Sequence, residues 1–352
     1  MNWEANIRRV TPYIPGEQPS GEHRIKLNTN ECPYPPSPRV LEALQAVEGE
    51  NLKRYPDPDI RKLRQSLAGY YGVKEEQVFV GVGSDDVLAM AFLTFFNGPK
   101  PILFPDITYS FYEVWAELFR IPYSKVALDA DFRIRSEDYR GENGGIIFPN
   151  PNAPTGIGEE LGTVRQILEA NRDVVVIVDE AYVDFGGESA LALLDEFDNL
   201  LVVQTFSKSR AMAGARIGFA IGNEKLIGYL SDVKFSFNSY TLSDPAIAMG
   251  KACVEDEEYF REIVGKIRAT RTRSRKELEK LGFHCLDSCA NFLFASHERL
   301  PAKQIYEAMR KEQIYLRYFE KERIHNYLRI SNGTDEEMDR LFRSLKNYIE
   351  RN

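Results

Sequence analysis

No stretch of this sequence is apolar for long enough to cross a bilayer, which takes about 20 consecutive apolar residues. Its plainest apolar run, Val174-Val175-Val176-Ile177-Val178, stops after five. The opening residues, Met1 to Val10, hold no apolar core of signal-peptide length, so a cytoplasmic location without a membrane partner is expected. Cysteine is scarce, with Cys32, Cys253, Cys285 and Cys289 making four. Cys285 and Cys289 form a C-x3-C pair beside His284, but no second ligand pair follows. These thiols are therefore read as reduced and mostly buried, and no metal site is expected. Dense runs of Lys and Arg are missing too. With 45 basic against 53 acidic residues, a net charge of −8 and a pI near 5.3, the chain lacks the surface that a nucleic acid would need. Internal repeats and low-complexity segments are also absent.

What is present is core material. A hydrophobic content of 43%, with 12% aromatics over 352 residues, suffices for two domains, or for one large domain with a smaller one attached. Pro12, Pro15, Gly16, Pro19 and Gly21 break residues 1–30 into an arm. Between Val78 and Ile221, short apolar runs at 78–80, 101–104, 121–126, 145–149, 174–178 and 200–205 alternate with helical stretches near 87–96, from Thr108-Tyr109, and at 159–171. Alternation of this kind predicts an α/β domain over 31–245, a parallel sheet covered by helices on both faces. Beyond Pro245 the pattern changes to a long charged helix from about Cys253 to Leu281, closed by Gly282. Short strands follow, and then a last helix opened by a Thr334/Glu337 capping box, which predicts a small α+β domain over 246–352 that packs with part of the N-terminal segment.

The most informative stretch is 174–216. The valine-rich run suits a strand buried on both faces and ends on Asp179-Glu180-Ala181-Tyr182, so an acid and a phenol stand at the carboxyl end of a central strand, where open α/β sheets bind their ligands. The next run, 200–205, leads into Phe206-Ser207-Lys208-Ser209, and Arg216 follows within Ala213-Gly214-Ala215-Arg216-Ile217-Gly218. A lysine in a dry pocket can form a Schiff base with an aldehyde. A carboxylate at a pyridine nitrogen keeps that ring protonated and electron-withdrawing. A phenol can bond the ring hydroxyl, and an arginine flanked by serines can hold a phosphate. Taken singly, Asp179 could cap a helix, Lys208 could be a solvated charge and Arg216 could pair with any carboxylate. As an ordered set on two strand ends they describe a pyridoxal phosphate site.

Other stretches add candidates. Gly81-Val82-Gly83-Ser84-Asp85-Asp86 leads from a strand into a helix and exposes N–H groups at the positive end of the helix dipole, a cradle for phosphate. Tyr109 could stack on a flat cofactor or pack in the core. Tyr13 is the arm residue able to reach a site. Arg54-Tyr55-Pro56-Asp57-Pro58 is stiffened by its prolines and can present Tyr55 at a fixed place. Three prolines between Pro149 and Pro154 stiffen the next strand's exit, with a cis bond expected before Pro154. Arg317 and Arg329, at strand ends in the small domain, would select a doubly charged anionic group if both faced a cleft, and are otherwise surface residues on edge strands.

With these residues in place the chain resembles the fold-type I pyridoxal-phosphate aminotransferases, and within them the histidinol-phosphate aminotransferases. The match extends over nearly the whole sequence, through Leu27-Asn28-Thr29-Asn30-Glu31, Arg54-Tyr55-Pro56-Asp57-Pro58, Gly83-Ser84-Asp85, Thr108-Tyr109, Pro154-Thr155-Gly156, Asp179-Glu180-Ala181-Tyr182, Ser207-Lys208-Ser209, 213–218, Asn291-Phe292 and Leu328-Arg329-Ile330. The resemblance implies a mostly parallel seven-stranded sheet and pyridoxal 5'-phosphate as cofactor. Lys208 would form the internal aldimine and act as base, Asp179 would hold the pyridinium nitrogen, Tyr182 the ring hydroxyl, and Tyr109 would stack on the ring. Ser84 and Asp85, through their backbone, would join Ser207 and Arg216 around the phosphate. Tyr55 would reach the neighbouring subunit's site in a homodimer, while Tyr13, Arg317 and Arg329 would grip the substrate. The implied reaction of histidine biosynthesis passes an amino group between L-histidinol phosphate and 2-oxoglutarate, giving imidazole acetol phosphate and L-glutamate. A broad aromatic aminotransferase, a phospho-amino-acid decarboxylase and a non-catalytic cofactor sensor are the alternatives. One departure is Ala153, where the family usually has the asparagine that bonds the ring hydroxyl; Asn152 next door is the candidate substitute.

Overall fold

The computed structural model describes residues 3–21 and 23–352; Met1, Asn2 and Glu22, all within the expected arm, lie outside the described residues. In chain order the strands are β1 (Ile25–Lys26), β2 (Val78–Gly81), β3 (Ile102–Pro105), β4 (Tyr123–Val126), β5 (Ile146–Pro149), β6 (Val176–Asp179), β7 (Leu200–Thr205) and β8 (Gly218–Gly222). They continue as β9 (Phe283–Cys285), β10 (Phe292–His297), β11 (Ile314–Tyr315), β12 (Arg317–Tyr318) and β13 (Leu328–Ser331).

Seven of them form the main sheet in the order β2-β8-β7-β6-β5-β3-β4, with β6 at its centre. All neighbours are parallel except β8, which runs antiparallel to both β2 and β7. The apolar runs are continuous because both faces of the sheet are covered. Side chains alternate across it with period two. Ile147, Ile177, Leu201 and Val203 pack on one face with Leu88 and Phe92 of the helix Ser84–Phe95. Phe148, Val176, Val178 and Val202 pack on the other with Val164 and Ile167 of the helix Leu161–Ala170. Among the described residues no helix is long and apolar enough to cross a membrane.

The remaining strands make an antiparallel sheet, β12-β13-β10-β9, and a parallel pair in which β1 of the N-terminal segment joins β11. The helices Ala302–Lys311 and Asp335–Ile349 cover this unit through Ile305, Met309, Met338, Leu341 and Leu345. Thr334 and Glu337 exchange backbone bonds as the expected capping box. The single charged helix expected from Cys253 is two, Asp244–Glu255 and Glu257–Lys280, parted at Asp256, whose φ of −105° and ψ of 66° leave the helical region. The first of them packs through Ala246, Ile247 and Cys253 against Val40 and Leu63.

Candidate active site

The carboxyl ends of β5, β6 and β7 lie side by side, Pro149 in register with Asp179 and Asp179 with Val203. Above them is a cavity of about 260 Å³. It gathers Asp179 and Tyr182 from the exit of β6, Thr205, Ser207 and Lys208 from that of β7, and Arg216 from the approach to β8. Ser84 and Asp85 enter from the N-terminus of the helix Ser84–Phe95, and Tyr13, Tyr109, Arg317 and Arg329 complete the wall.

Asp179 is 4% exposed, and burial pushes its carboxyl up to about 6 against the pull of its hydrogen bonds and of Lys208. Its Oδ2 accepts from the Tyr112 hydroxyl at 2.8 Å and its Oδ1 from the Ala181 N–H at 3.3 Å. Lys208 Nζ donates to the Thr29 carbonyl at 3.1 Å and stands 5.8 Å from the Tyr182 ring centroid. The Tyr182 hydroxyl accepts from Asn30 Nδ2 at 3.0 Å. Asn30 itself sits at φ 55°, a left-handed conformation that asparagine tolerates, and its other amide atom accepts from Ser331 Oγ at 2.8 Å. The small unit thus sets the phenol that faces the lysine.

At the other end of the cavity, Gly83 (φ 84°) turns the chain into the helix Ser84–Phe95 and leaves the first N–H groups of its backbone free to point outward. Arg216, held at φ 53°, lies against this turn, since a Cβ on Gly83 would come within 2.6 Å of Arg216 Nη2. A Cβ on Gly218 would meet Gly83 C and Ser84 N at 2.3 Å, so β8 can approach the turn only as glycine. Arg216 Nη2 pairs with Asp85 Oδ2 at 3.3 Å, and Asp85 Oδ1 accepts from the Tyr109 hydroxyl at 2.8 Å. Helix terminus, guanidinium and the hydroxyls of Ser84 and Ser207 form a donor set suited to a phosphate dianion. Burial, with Asp85 next, pushes the Tyr109 phenol well up, so it remains a neutral ring.

Arg317 and Arg329 are directly paired across β12 and β13, which places both guanidinium-bearing residues on one wall. Arg329 Nη2 donates to the Asn28 carbonyl at 2.8 Å, while its buried Nε has no hydrogen-bond partner among the described residues. Burial, with Arg317 adding to it, pushes the Arg329 guanidinium down. Two adjacent cations with an unpaired donor form a site that an anionic group would complete. Tyr13, also in the lining, stacks on Phe111 with centroids 4.2 Å apart. The residues present therefore fit pyridoxal phosphate.

Asn152 lies elsewhere, and Tyr55, expected to reach a neighbouring subunit's site, lies outside this cavity. Asn152 is buried but does not line the cavity: its amide donates to the Ile107 carbonyl at 3.0 Å and to Thr155 Oγ1 at 3.1 Å, and the cavity wall is Ala153 and Pro154 instead. Both Asn150–Pro151 and Ala153–Pro154 are cis, the second as expected from the sequence. Tyr55 is 79% exposed, outside the cavity, and stacks on Tyr240 at 4.4 Å. Sequence reasoning missed Tyr112 and gave Asn30 no role, although Asn30 lies within the recognised run 27–31.

The family model "Aminotransferase class I and II" matches residues 22–345. The chain belongs to that family. A histidinol-phosphate aminotransferase from Clostridium beijerinckii is 51% identical over 99% of this chain and 98% of its own length. Histidinol-phosphate aminotransferase 1 of Hydrogenovibrio crunogenus is 53% identical over the same shares, 99% and 98%. Within the class, then, the chain is a member of the histidinol-phosphate aminotransferases. The crystal structure of histidinol-phosphate aminotransferase from Sinorhizobium meliloti in complex with pyridoxal-5'-phosphate has the same fold, with a TM-score of 0.84 at 24% identity over 93% of this chain and 91% of that one.

Proposed function

We propose that the cavity takes up pyridoxal 5'-phosphate on Lys208, and that the protein moves an amino group between L-histidinol phosphate and 2-oxoglutarate. The observation that carries this reading is the convergence of Lys208 and Asp179 from neighbouring strand ends on one cavity, which a helix N-terminus with Arg216 and a pair of arginines also line. Bound there, the cofactor supplies a protonated ring that withdraws electrons from the substrate's Cα. Asp179 holds the proton on the ring nitrogen. Tyr182 would bond the ring hydroxyl, Tyr109 would support the ring, and Ser84, Asp85, Ser207 and Arg216 would hold the phosphate. The Lys208 amine takes the proton from the substrate's Cα and returns it during transfer. Because one pocket serves both halves of the reaction, ping-pong kinetics follow.

Arg317 and Arg329 grip the substrate anion, with Tyr13 closing over it. Histidinol phosphate brings a phosphate and no α-carboxylate, whereas glutamate brings two carboxylates, and a pair of guanidinium groups can serve either. In this reading residues 31–245 carry the cofactor, and 246–352, with the N-terminal strand, carry the substrate clamp. The working unit is a homodimer. Tyr55 and its partner Tyr240 stand on the surface near Phe235 and Phe237, and an exposed aromatic patch of this kind suits a second copy of the chain.

Assay of the purified protein with three amine donors tests the reaction. Histidinol phosphate is expected to give the highest kcat/KM, phenylalanine a lower one, and threonine phosphate no release of carbon dioxide. Preferential turnover of phenylalanine, or decarboxylation of threonine phosphate, would overturn the assignment. Arg329→Ala should weaken histidinol phosphate far more than an uncharged amine, and an equal loss for both would remove its role in gripping the anion.

A further inference from the structure

Tyr112 lies in the helix Phe111–Phe119, behind the wall of the cavity rather than in it. It is fully buried, with its ring 6.4 Å from Phe92, 6.0 Å from Phe104 and 6.3 Å from Trp115. Phenylalanine would fill such a nest as well, and a buried hydroxyl costs free energy unless it is bonded. The bond it makes is to Asp179 Oδ2, at 2.8 Å. Burial and the neighbouring carboxylate push this phenol far up, so it stays neutral and keeps the proton it donates to Asp179. The second oxygen of Asp179 takes, among the described residues, just the long bond from Ala181, at 3.3 Å.

We propose that Tyr112 is a positioning residue for transamination: its hydroxyl fixes one oxygen of Asp179 and keeps the carboxylate charged, leaving the other oxygen for the cofactor's ring nitrogen. The inference rests on the reading of this cavity as a pyridoxal phosphate site. Four other groups act on Asp179 or its clamp. Lys208 favours its charge, Asp85 opposes it, and Tyr109 and Tyr182 flank the Tyr112 phenol. Burial alone drives the carboxyl toward the neutral form, and the Tyr112 bond works against burial. Without that hydroxyl the carboxyl ionises at higher pH.

The test compares wild type with Tyr112→Phe as full-length chains, in two measurements. The first is the infrared carboxylate band of Asp179, isolated by subtracting Asp179→Asn and followed against pH. Loss of a hydrogen bond to a charged group should move its midpoint up by about one pH unit. The second is the dissociation constant for pyridoxal phosphate, expected to rise about threefold near pH 6.5 and to converge on wild type by about pH 8.5. In an Asp179→Asn background the same change should leave the affinity unaltered. An unmoved midpoint, or weakening by the same factor at every pH, would overturn the proposal and leave Tyr112 as packing. If wild type itself takes up no cofactor, the cofactor reading fails, while the infrared midpoint still decides the role of Tyr112. Should Tyr112→Phe not fold, a fluorinated tyrosine at 112, a stronger donor of similar shape, must move the midpoint downward; no movement is again a refutation.

Discussion

At the scale of single residues, the site is a set of buried charges whose costs are offset by named partners. Glu180, beside Asp179, is 2% exposed and accepts from Ser189 Oγ at 2.7 Å, Ala190 N at 2.6 Å and Gln204 Nε2 at 2.9 Å. Burial nevertheless pushes its carboxyl up to about 7 from an ordinary 4.5. An acid whose folded value is raised binds its proton more tightly in the native state, so its contribution is most favourable below about pH 4.5 and is lost as pH rises through about 7. Urea unfolding between pH 5 and 8 should therefore show wild type losing stability relative to Glu180→Gln as pH rises, and a difference independent of pH would contradict this. Lys208, Asp179 and Arg216 were legible in the sequence because each stands at the end of an apolar run or inside a glycine turn, where the pattern changes abruptly. Tyr112 was not, because within Phe111-Tyr112-Glu113-Val114-Trp115 nothing separates a core aromatic from one that bonds a functional acid. Asn152 shows the reverse: its type and place suggested the cofactor, but its amide NH2 donates to Ile107 and Thr155.

Between residue and molecule, the secondary elements hold the cradle. Gly218 opens β8 opposite Gly81 and touches the Gly83–Ser84 backbone, so Gly218→Ala must push β8 away from the helix Ser84–Phe95. A loss of about 2–3 kcal/mol in unfolding free energy is expected, with weaker binding of pyridoxal phosphate. A Gly218→Ala protein as stable as wild type would show that the strand has room to move. At the far end of the chain, Thr334→Ala removes one half of the capping box of Asp335–Ile349 and should cost about 1 kcal/mol in urea unfolding without changing turnover. The strands and this cap were readable because buried parallel strands are short and β-branched, and because a capping box is a local signal. The break at Asp256 was not, since neither glycine nor proline marks it and helical periodicity continues on both sides.

Across the whole molecule, β1 pairs with β11 and Asn30 bonds Ser331 and Tyr182, so the N-terminal segment joins the unit that holds β11 and β13 to the Tyr182 phenol. Packing of part of the N-terminal segment with the small domain was expected from the sequence, but the residues that meet were not, because they lie 152 to 301 positions apart. The exposed aromatics were equally unreadable as a group: Phe235, Phe237 and Tyr240 lie together in sequence, but only the fold brings Tyr55 onto Tyr240. If that face meets a second copy, Phe237→Asp should shift the sedimentation coefficient from dimer to monomer and lower turnover. A variant that remains dimeric would place the interface elsewhere.

The most direct measurement concerns the bond between protein and cofactor. Pyridoxal phosphate is added to the purified protein, the mixture is reduced with borohydride, and the digested chain is mapped by mass spectrometry. A single pyridoxyl group on Lys208, absent after Lys208→Ala, is the predicted result. A label on another lysine, or a chain left unlabelled, would contradict the account.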